Sequence, residues 1–389
     1  MNSTVDQQTL EKQLHRFLDE VLLPYEEEHH IDSEDPVNMD HIHWVRQKAI
    51  EAGFYGINLP VDLGGKNLNL RGICHLKEIL TRSGAALWGH VLGELGGPLR
   101  IGNMLKLFSS YQFDRYAKPV IEGKAGCCFA LTEPGAGSDA KAIKTVATKN
   151  ENGYIIQGKK HFISASPYAD WAIVIAREEV DNEEPKITAF IVDKKTKDTD
   201  GFELGNMQIP ISGEQSTAEI IFNDCYIPKE NILGESGKGL LLGLNRINEN
   251  RASWGATYLG VSQRLLDLAV ERAKSRNQFG RSIGEFQAIQ HMLADMATEI
   301  YASRCMLYNV IDKIDQGENV LAEASMVKLF ASETANRVAD NTLQIFGGQG
   351  LMQGNPVEKL YRSVRMFRIL TGTSEIQRNT IGKALLKEK

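Results

Sequence analysis

The chain has 389 residues, 42% of them hydrophobic, and a formal net charge of −6, so it can bury a large core or several packed layers. That charge, with no Lys/Arg block interleaved with aromatics, excludes long-range attraction to nucleic acid or an anionic membrane; any anion site must be local. No apolar stretch approaches the roughly 18 residues of a membrane span, so no membrane partner is expected. Met1 to Gln8 lacks the pattern of a secretory or transit peptide, and the last residues, Leu386-Lys387-Glu388-Lys389, are not a peroxisomal signal. A cytoplasmic location is expected. The five cysteines, Cys74, Cys127, Cys128, Cys225 and Cys305, show no metal-ligand spacing and read as buried reduced thiols. No metal site is expected.

The apolar positions Leu10, Leu14, Phe17, Leu18, Val21 and Leu22 recur at helical spacing, and a second amphipathic helix is predicted from Met39 to Ala52, stopped by Gly53. After the Gly64-Gly65 break, Ile73, Leu76, Ile79 and Leu80 resume a helical pattern up to Gly96-Gly97-Pro98. Residues 1–125 therefore read as an N-terminal α-helical domain. The period then changes: Lys144 to Thr148 and Tyr154 to Gln157 are β-rich runs joined through Asn152-Gly153, and Trp171 to Ala176, Ile187 to Val192 and Glu219 to Phe222 follow. Residues 126–235 read as a mostly antiparallel β domain, with the acidic stretch Glu178 to Glu184 as a solvated hairpin tip. Beyond Gly237-Lys238-Gly239 long helical patterns return, and residues 236–389 read as a helical bundle. The fold class is α+β, mostly α.

The segment Thr132-Glu133-Pro134-Gly135-Ala136-Gly137-Ser138-Asp139 follows an apolar strand end, Cys128 to Leu131. It puts backbone amides, two hydroxyls and two glycines where an anionic cofactor would fit, and Ser138 or Asp139 can cap a helical turn facing a phosphate. The same residues suit an ordinary surface turn. Further segments in fixed order change the balance: Gly158-Lys159-Lys160-His161-Phe162-Ile163-Ser164; Arg276-Asn277-Gln278-Phe279-Gly280 with Phe286-Gln287-Ala288-Ile289-Gln290; Gln344 to Gly350; and Gly372-Thr373-Ser374-Glu375-Ile376-Gln377-Arg378.

On these segments the chain resembles the acyl-CoA dehydrogenase family of flavoproteins over nearly its whole length. The resemblance implies an N-terminal helical domain, a middle β domain, a C-terminal four-helix bundle, and non-covalent FAD. It also implies an acyl-CoA or acyl-carrier-protein substrate, a homotetramer or homodimer, electron-transferring flavoprotein as electron acceptor, and a place in fatty acid metabolism. By motif match, Phe129, Leu131, Thr132 and Ser138 would bind flavin ring and pyrophosphate, where N–H and hydroxyl donors stabilise a reduced, negatively charged ring. Phe162 and Ser164 would flank the reactive end of the flavin. Arg276, Gln278 and Phe279 would reach a partner subunit's FAD, Arg276 as a fork on the pyrophosphate. Phe286, Gln287, Gln344, Gly347, Gly348, Thr373 and Glu375 complete the cofactor set. Arg251, Asn248 and Ser138 would contact the acyl thioester and its pantetheine chain.

One position departs from the family pattern. Desaturation needs a base for the proton α to the thioester carbonyl while hydride leaves the β carbon, and in most relatives a Glu precedes the last Gly-Thr. Here that residue is Thr371, whose un-ionised hydroxyl is no useful base near neutral pH. Some relatives carry the Glu one residue before the substrate-contacting Arg, and that position is Asn250 here. Glu249 is next to it but about 100° away around a helix, and Glu94 is a further candidate carboxylate. The favoured reading is α,β-desaturation of an acyl thioester with an unassigned base. The alternative is flavin chemistry without a strong base: enoyl-thioester reduction, or loss of a carboxylate or sulfinate. A third reading is an oxygen-using or purely binding relative.

Overall fold

The computed structural model describes residues 7–180, 184–197 and 199–386, and of residues 245–250 it describes the helical backbone without the side chains. Helix α1 (Gln7–Phe17) continues through a π-type turn, Leu18–Leu22, into α2 (Leu23–Glu28), burying Leu10, Leu14, Phe17, Leu18 and Leu22 on one stripe. Helix α3 (Met39–Glu51) starts where the Asn38 side chain accepts the Asp40 N–H, and ends before Gly53 at φ +72°. Helix α4 (Leu70–Ser83) is capped by Asn69 and closed by Gly84 at φ +80°. The helical pattern therefore stops well before Gly96. Between α4 and the first strand lie four short α-helices, α5 (Trp88–Val91), α6 (Pro98–Ile101), α7 (Ser110–Gln112) and α8 (Lys118–Ile121).

Seven strands follow: β1 (Cys127–Ala130), β2 (Val146–Lys149), β3 (Gly153–Ser164), β4 (Trp171–Glu179), β5 (Lys186–Asp193), β6 (Glu203–Met207) and β7 (Thr217–Pro228). They form one sheet. Strand β4 is its hub, paired with β5 along one edge and, along the other, with β1 and β2 in parallel at successive stretches; β2, β3, β7 and β6 continue it antiparallel. The β2–β3 hairpin turns where the Asn150 side chain accepts the N–H groups of Asn152 and Gly153, as the Asn152-Gly153 signal predicts. Helix α9 (Gly239–Ser275) leads through a small hairpin, β8 (Asn277–Gln278) and β9 (Arg281–Ser282), to α10 (Gln287–Asp315), α11 (Leu321–Phe346), α12 (Pro356–Phe367) and α13 (Ser374–Leu385). The order helices, sheet, helices is the fold class expected from the sequence.

By their contacts the residues gather into two compact units. One comprises Met1–His30, Leu68–Ala86 and Asn248–Lys389, with a core of Tyr258, Leu265, Leu307, Ile311, Val327 and Val338 under the long helices. The other comprises Ile31–Asn67 and Leu87–Ile247, with apolar residues packed on both faces of the sheet, Ile156, Val174 and Phe222 on one and Trp171, Ile173 and Ile191 on the other. The N-terminal helices are thus shared between the two. Two readings of individual residues need correction. Cys305 is exposed, while the other four cysteines are buried. Glu178 is not part of a solvated tip: it is buried, and it accepts from the hydroxyls of Tyr154, Thr188 and Ser236. Three hydroxyl donors are what make a buried carboxylate tolerable there.

Candidate functional site

In the sheet-containing unit the site grows from the end of β1. Leu131 is buried, Phe129 and Thr132 are half-buried, and the loop from Pro134 to Asp139 is exposed except at Ala136. The loop is shaped by a buried ion pair the sequence reading did not assign. Lys160 of β3, wholly buried, donates to Glu133 Oε1 at 2.7 Å, to the Ile175 carbonyl at 2.6 Å and to the Leu131 carbonyl at 3.1 Å. Glu133 in turn accepts the backbone N–H groups of Lys144 and Thr145. Burial lowers the Lys160 ammonium to about 8 despite Glu133. Burial works the other way on Glu133, yet Lys160 and the N–H donors outweigh it and hold the carboxyl below its ordinary value. Both groups stay charged at neutral pH, and the loop backbone is fixed from below.

Above this pair, β3 carries a bulge between Lys160 and Ile163, and the extra residue re-aims the strand's side chains. Phe162 takes φ +57° and is 62% exposed, its N–H held by Gln208 Oε1 at 2.6 Å. The neighbouring His161 N–H donates to the Thr132 carbonyl at 2.8 Å, so the bulge and the first loop are tied together. Ser164 is half-buried near Thr217. Phe129, Leu131, Thr132, Ser138, Phe162 and Ser164 therefore lie on one small part of this unit. Asp139 does cap a helical turn, but only a short one, Ala140–Ala142. Glu94 is half-buried in the same unit.

In the helical unit the remaining residues fall into two groups. Phe279 sits at the tip of the β8–β9 hairpin at φ +52°, followed by Gly280 at +77°, the two positive angles a tight right-twisting hairpin demands. Its ring is 94% exposed and meets Phe286 edge-on at 6.2 Å. Arg276, Gln278 and Gln287 are exposed around it, and Arg281 lies 4.1 Å over the Phe286 ring. Gln344, Gly347 and Gly348 form an exposed end to α11, where nothing lies within 4 Å of a Cβ placed on either glycine.

The second group is the turn between α12 and α13. Thr371 takes φ +55° and donates its hydroxyl to the Leu370 carbonyl at 2.8 Å; Gly372 follows at φ +93°, and Thr373 caps α13 by accepting the Ile376 N–H. Arg251 is buried, its guanidinium pushed below its ordinary value by that burial, and its Nη2 would stand 3.4 Å from a Cβ on Gly372. The carboxylates around this turn are already engaged. Glu333 accepts from Ser374 at 2.8 Å and pairs with Arg368, while exposed Glu375 is held low by its own N–H and the Thr373 hydroxyl. Asn248 and Glu249 lie among the residues whose side chains are outside those described. Among the described residues no cluster of His, Cys, Asp and Glu suits a metal ion, and no helix is long and apolar enough to cross a membrane.

Comparison with known proteins agrees with this anatomy. Residues 4–124, 128–225 and 237–386 match the N-terminal, middle and C-terminal domains of acyl-CoA dehydrogenase. The chain is 37% identical over 349 residues to the caffeyl-CoA reductase–Etf complex subunit CarC of Acetobacterium woodii, covering 88% of this chain and 90% of that one. It is also 37% identical over 345 residues to the 3-(aryl)acrylate reductase of Clostridium sporogenes, covering 88% and 89%. Among solved structures, butyryl-CoA dehydrogenase from Megasphaera elsdenii superposes with a TM-score of 0.86 at 31% identity, both chains covered in full. The chain belongs to the acyl-CoA dehydrogenase family, flavin-dependent oxidoreductases that act on CH–CH groups.

Proposed function

We propose that this chain reduces the α,β double bond of an enoyl thioester, receiving electrons through an electron-transferring flavoprotein. The residues fit FAD. Gly135 and Gly137 leave unobstructed backbone beside Thr132 and Ser138, and Phe162 presents a bare aromatic face. Arg276, Gln278 and Phe279 are exposed as a contact to a second subunit's FAD requires. When bound, the flavin supplies the hydride to the carbon β to the thioester carbonyl. As hydride arrives, negative charge develops on the thioester oxygen and α carbon, and Arg251 in its buried setting favours that charge.

The observation that carries the direction is Thr371. Its hydroxyl is committed to the Leu370 carbonyl, and the neighbouring carboxylates, Glu333 and Glu375, are held by cations and N–H groups. Nothing in that set takes a proton from an α carbon; a strongly basic enolate, by contrast, takes its proton from water or from a hydroxyl. The two relatives at 37% identity are both named as reductases, and one is part of an Etf complex. The test is anaerobic mixing. Dithionite-reduced enzyme should be reoxidised by crotonyl-CoA or cinnamoyl-CoA, seen as return of the flavin band. If no enoyl-CoA reoxidises it, while butyryl-CoA bleaches the oxidised enzyme at about 1 s⁻¹ or faster and Glu249→Gln abolishes that bleaching, desaturation with Glu249 as base replaces this reading.

A further inference from the structure

The Thr371–Gly372 turn is held by donors distant in sequence. Lys328 lies on the buried face of α11 between Ala324 and Ala331; it is wholly buried and its Nζ donates to the Gly372 carbonyl at 2.8 Å. Gln377 of α13, also wholly buried, donates Nε2 to the same carbonyl at 2.9 Å and to that of Thr371 at 3.3 Å. A buried ammonium is among the costliest groups a core can hold, and the Gly372 carbonyl is its hydrogen-bond acceptor among the described residues. Gln377 Oε1 finds no hydrogen-bond partner among those residues, so its amide is committed through nitrogen to the turn. A Cβ on Gly372 would stand 2.9 Å from Gln377 Nε2, so the backbone is seated directly on its donors. What they hold is a β-branched residue at positive φ, a conformation such residues rarely adopt unaided.

We propose that Lys328, together with Gln377, is a positioning residue of the reaction: it clamps the Gly372 carbonyl and so holds the backbone of the Thr371–Gly372 turn in place beside the acyl group. The inference rests on the reading that residue 371 faces the reacting α carbon. The charged groups around Lys328 are Arg251 on α9, Glu333 on its own helix, Arg368 after α12 and Glu375 on α13. Burial, then Arg251, bring the ammonium down to about 8, against the pull of the two carboxylates. The clamp therefore loses its charge in mildly alkaline solution, and a guanidinium in its place does not.

The experiment uses the holoenzyme with Lys328→Met, Lys328→Arg and Gln377→Leu. It reads hydrogen exchange of the segment 369–378 and single-turnover reoxidation of the dithionite-reduced enzyme by crotonyl-CoA. Lys328→Met and Gln377→Leu should each raise exchange of that segment about 10-fold or more. Each should lower the single-turnover rate constant about 10- to 100-fold with little change in half-saturation. The wild-type rate should fall above pH of about 8, and Lys328→Arg should keep activity and lose that fall. Unchanged exchange in both variants overturns the clamp; raised exchange with an unchanged rate overturns its positioning role. Because the exchange measurement needs no turnover, a wild type that reduces no enoyl-CoA overturns the functional reading alone.

Discussion

Replacing Lys160 by Met removes one member of the buried pair that shapes the Thr132–Asp139 loop, and its cost can be worked from the geometry. At 2.7 Å, with an effective dielectric of about 20, the two charges attract by roughly 6 kcal/mol, offset by the expense of taking both from water. Deleting the lysine alone forfeits the attraction and leaves the expense. Glu133, 7% exposed, keeps only the Lys144 and Thr145 N–H groups, while the Leu131 and Ile175 carbonyls lose a donor. A broken buried pair costs about 3–5 kcal/mol, which at about 2–4 °C per kcal/mol lowers the melting temperature by roughly 6–20 °C. Glu133→Gln keeps a neutral acceptor and should cost about 1–3 kcal/mol. The double variant should lose less than the sum of the two, the mark of direct coupling. Thermal unfolding followed by circular dichroism gives the shifts, and absorbance of the purified protein near 450 nm gives the flavin retained. A Lys160→Met protein that melts within about 2–4 °C of wild type and keeps its flavin would refute the assignment of loop geometry to this pair.

Thr371→Glu should create or raise bleaching of the flavin by butyryl-CoA, by about 10²- to 10⁴-fold, while Thr371→Ala should leave reoxidation by enoyl-CoA nearly unchanged; anaerobic stopped-flow measures both. Arg276→Ala should weaken FAD retention by about 10- to 100-fold, the worth of one charge-assisted bond, and flavin content after gel filtration reads it. The same column shows whether flavin loss and subunit dissociation go together, as a shared site requires. Burial raises the Glu214 carboxyl above its ordinary value, so the folded chain holds a proton that the unfolded chain has released, and stability falls as pH rises past about 4.5. Glu214→Gln should therefore raise the melting temperature at pH 7, and the gain should vanish below about pH 4.5; a gain that persists in acid would show that packing, not titration, is responsible.

What was legible in the sequence was local. The β2–β3 hairpin and the helix stop at Gly53 are each written in a few consecutive residues, whereas the pattern runs to Gly96 for a helix that Gly84 ends. Lys160 and Lys328 were not assigned, although each carries a signal. Lys160 falls on the inward parity of Tyr154 and Ile156, and Lys328 falls on the apolar stripe of Ala324, Val327, Ala331 and Ala335. A lysine on a buried face must have an acceptor, but the pattern does not name it. Glu133 stands 27 residues from Lys160, and Gly372 stands 44 from Lys328. The bulge at His161–Phe162 was hidden for a related reason: strand parity predicts a buried Phe, and only the pairing with β7 shows the register shift that turns it out.

The strain in the described backbone supports the functional reading more directly than any motif. Seven non-glycine residues have positive φ: His30, Asn67, Phe162, Ala165, Asp224, Phe279 and Thr371. His, Asn and Asp enter this region at modest cost and Ala is small, so four of the seven need no special account. The other three are aromatic or β-branched, the types for which the conformation is least favourable, and each costs on the order of 1–3 kcal/mol, although at Phe279 the β8–β9 turn itself requires the angle. Phe162 and Phe279 add a second cost by exposing most of their rings. Phe162 and Phe279 bear both costs, and half-buried Thr371 bears the strain alone. Those positions are the ones motif matching assigns to the flavin, to a partner subunit's flavin and to the reacting carbon. Strain at all three, and exposure at Phe162 and Phe279, owe nothing to the resemblance and fall on the same residues.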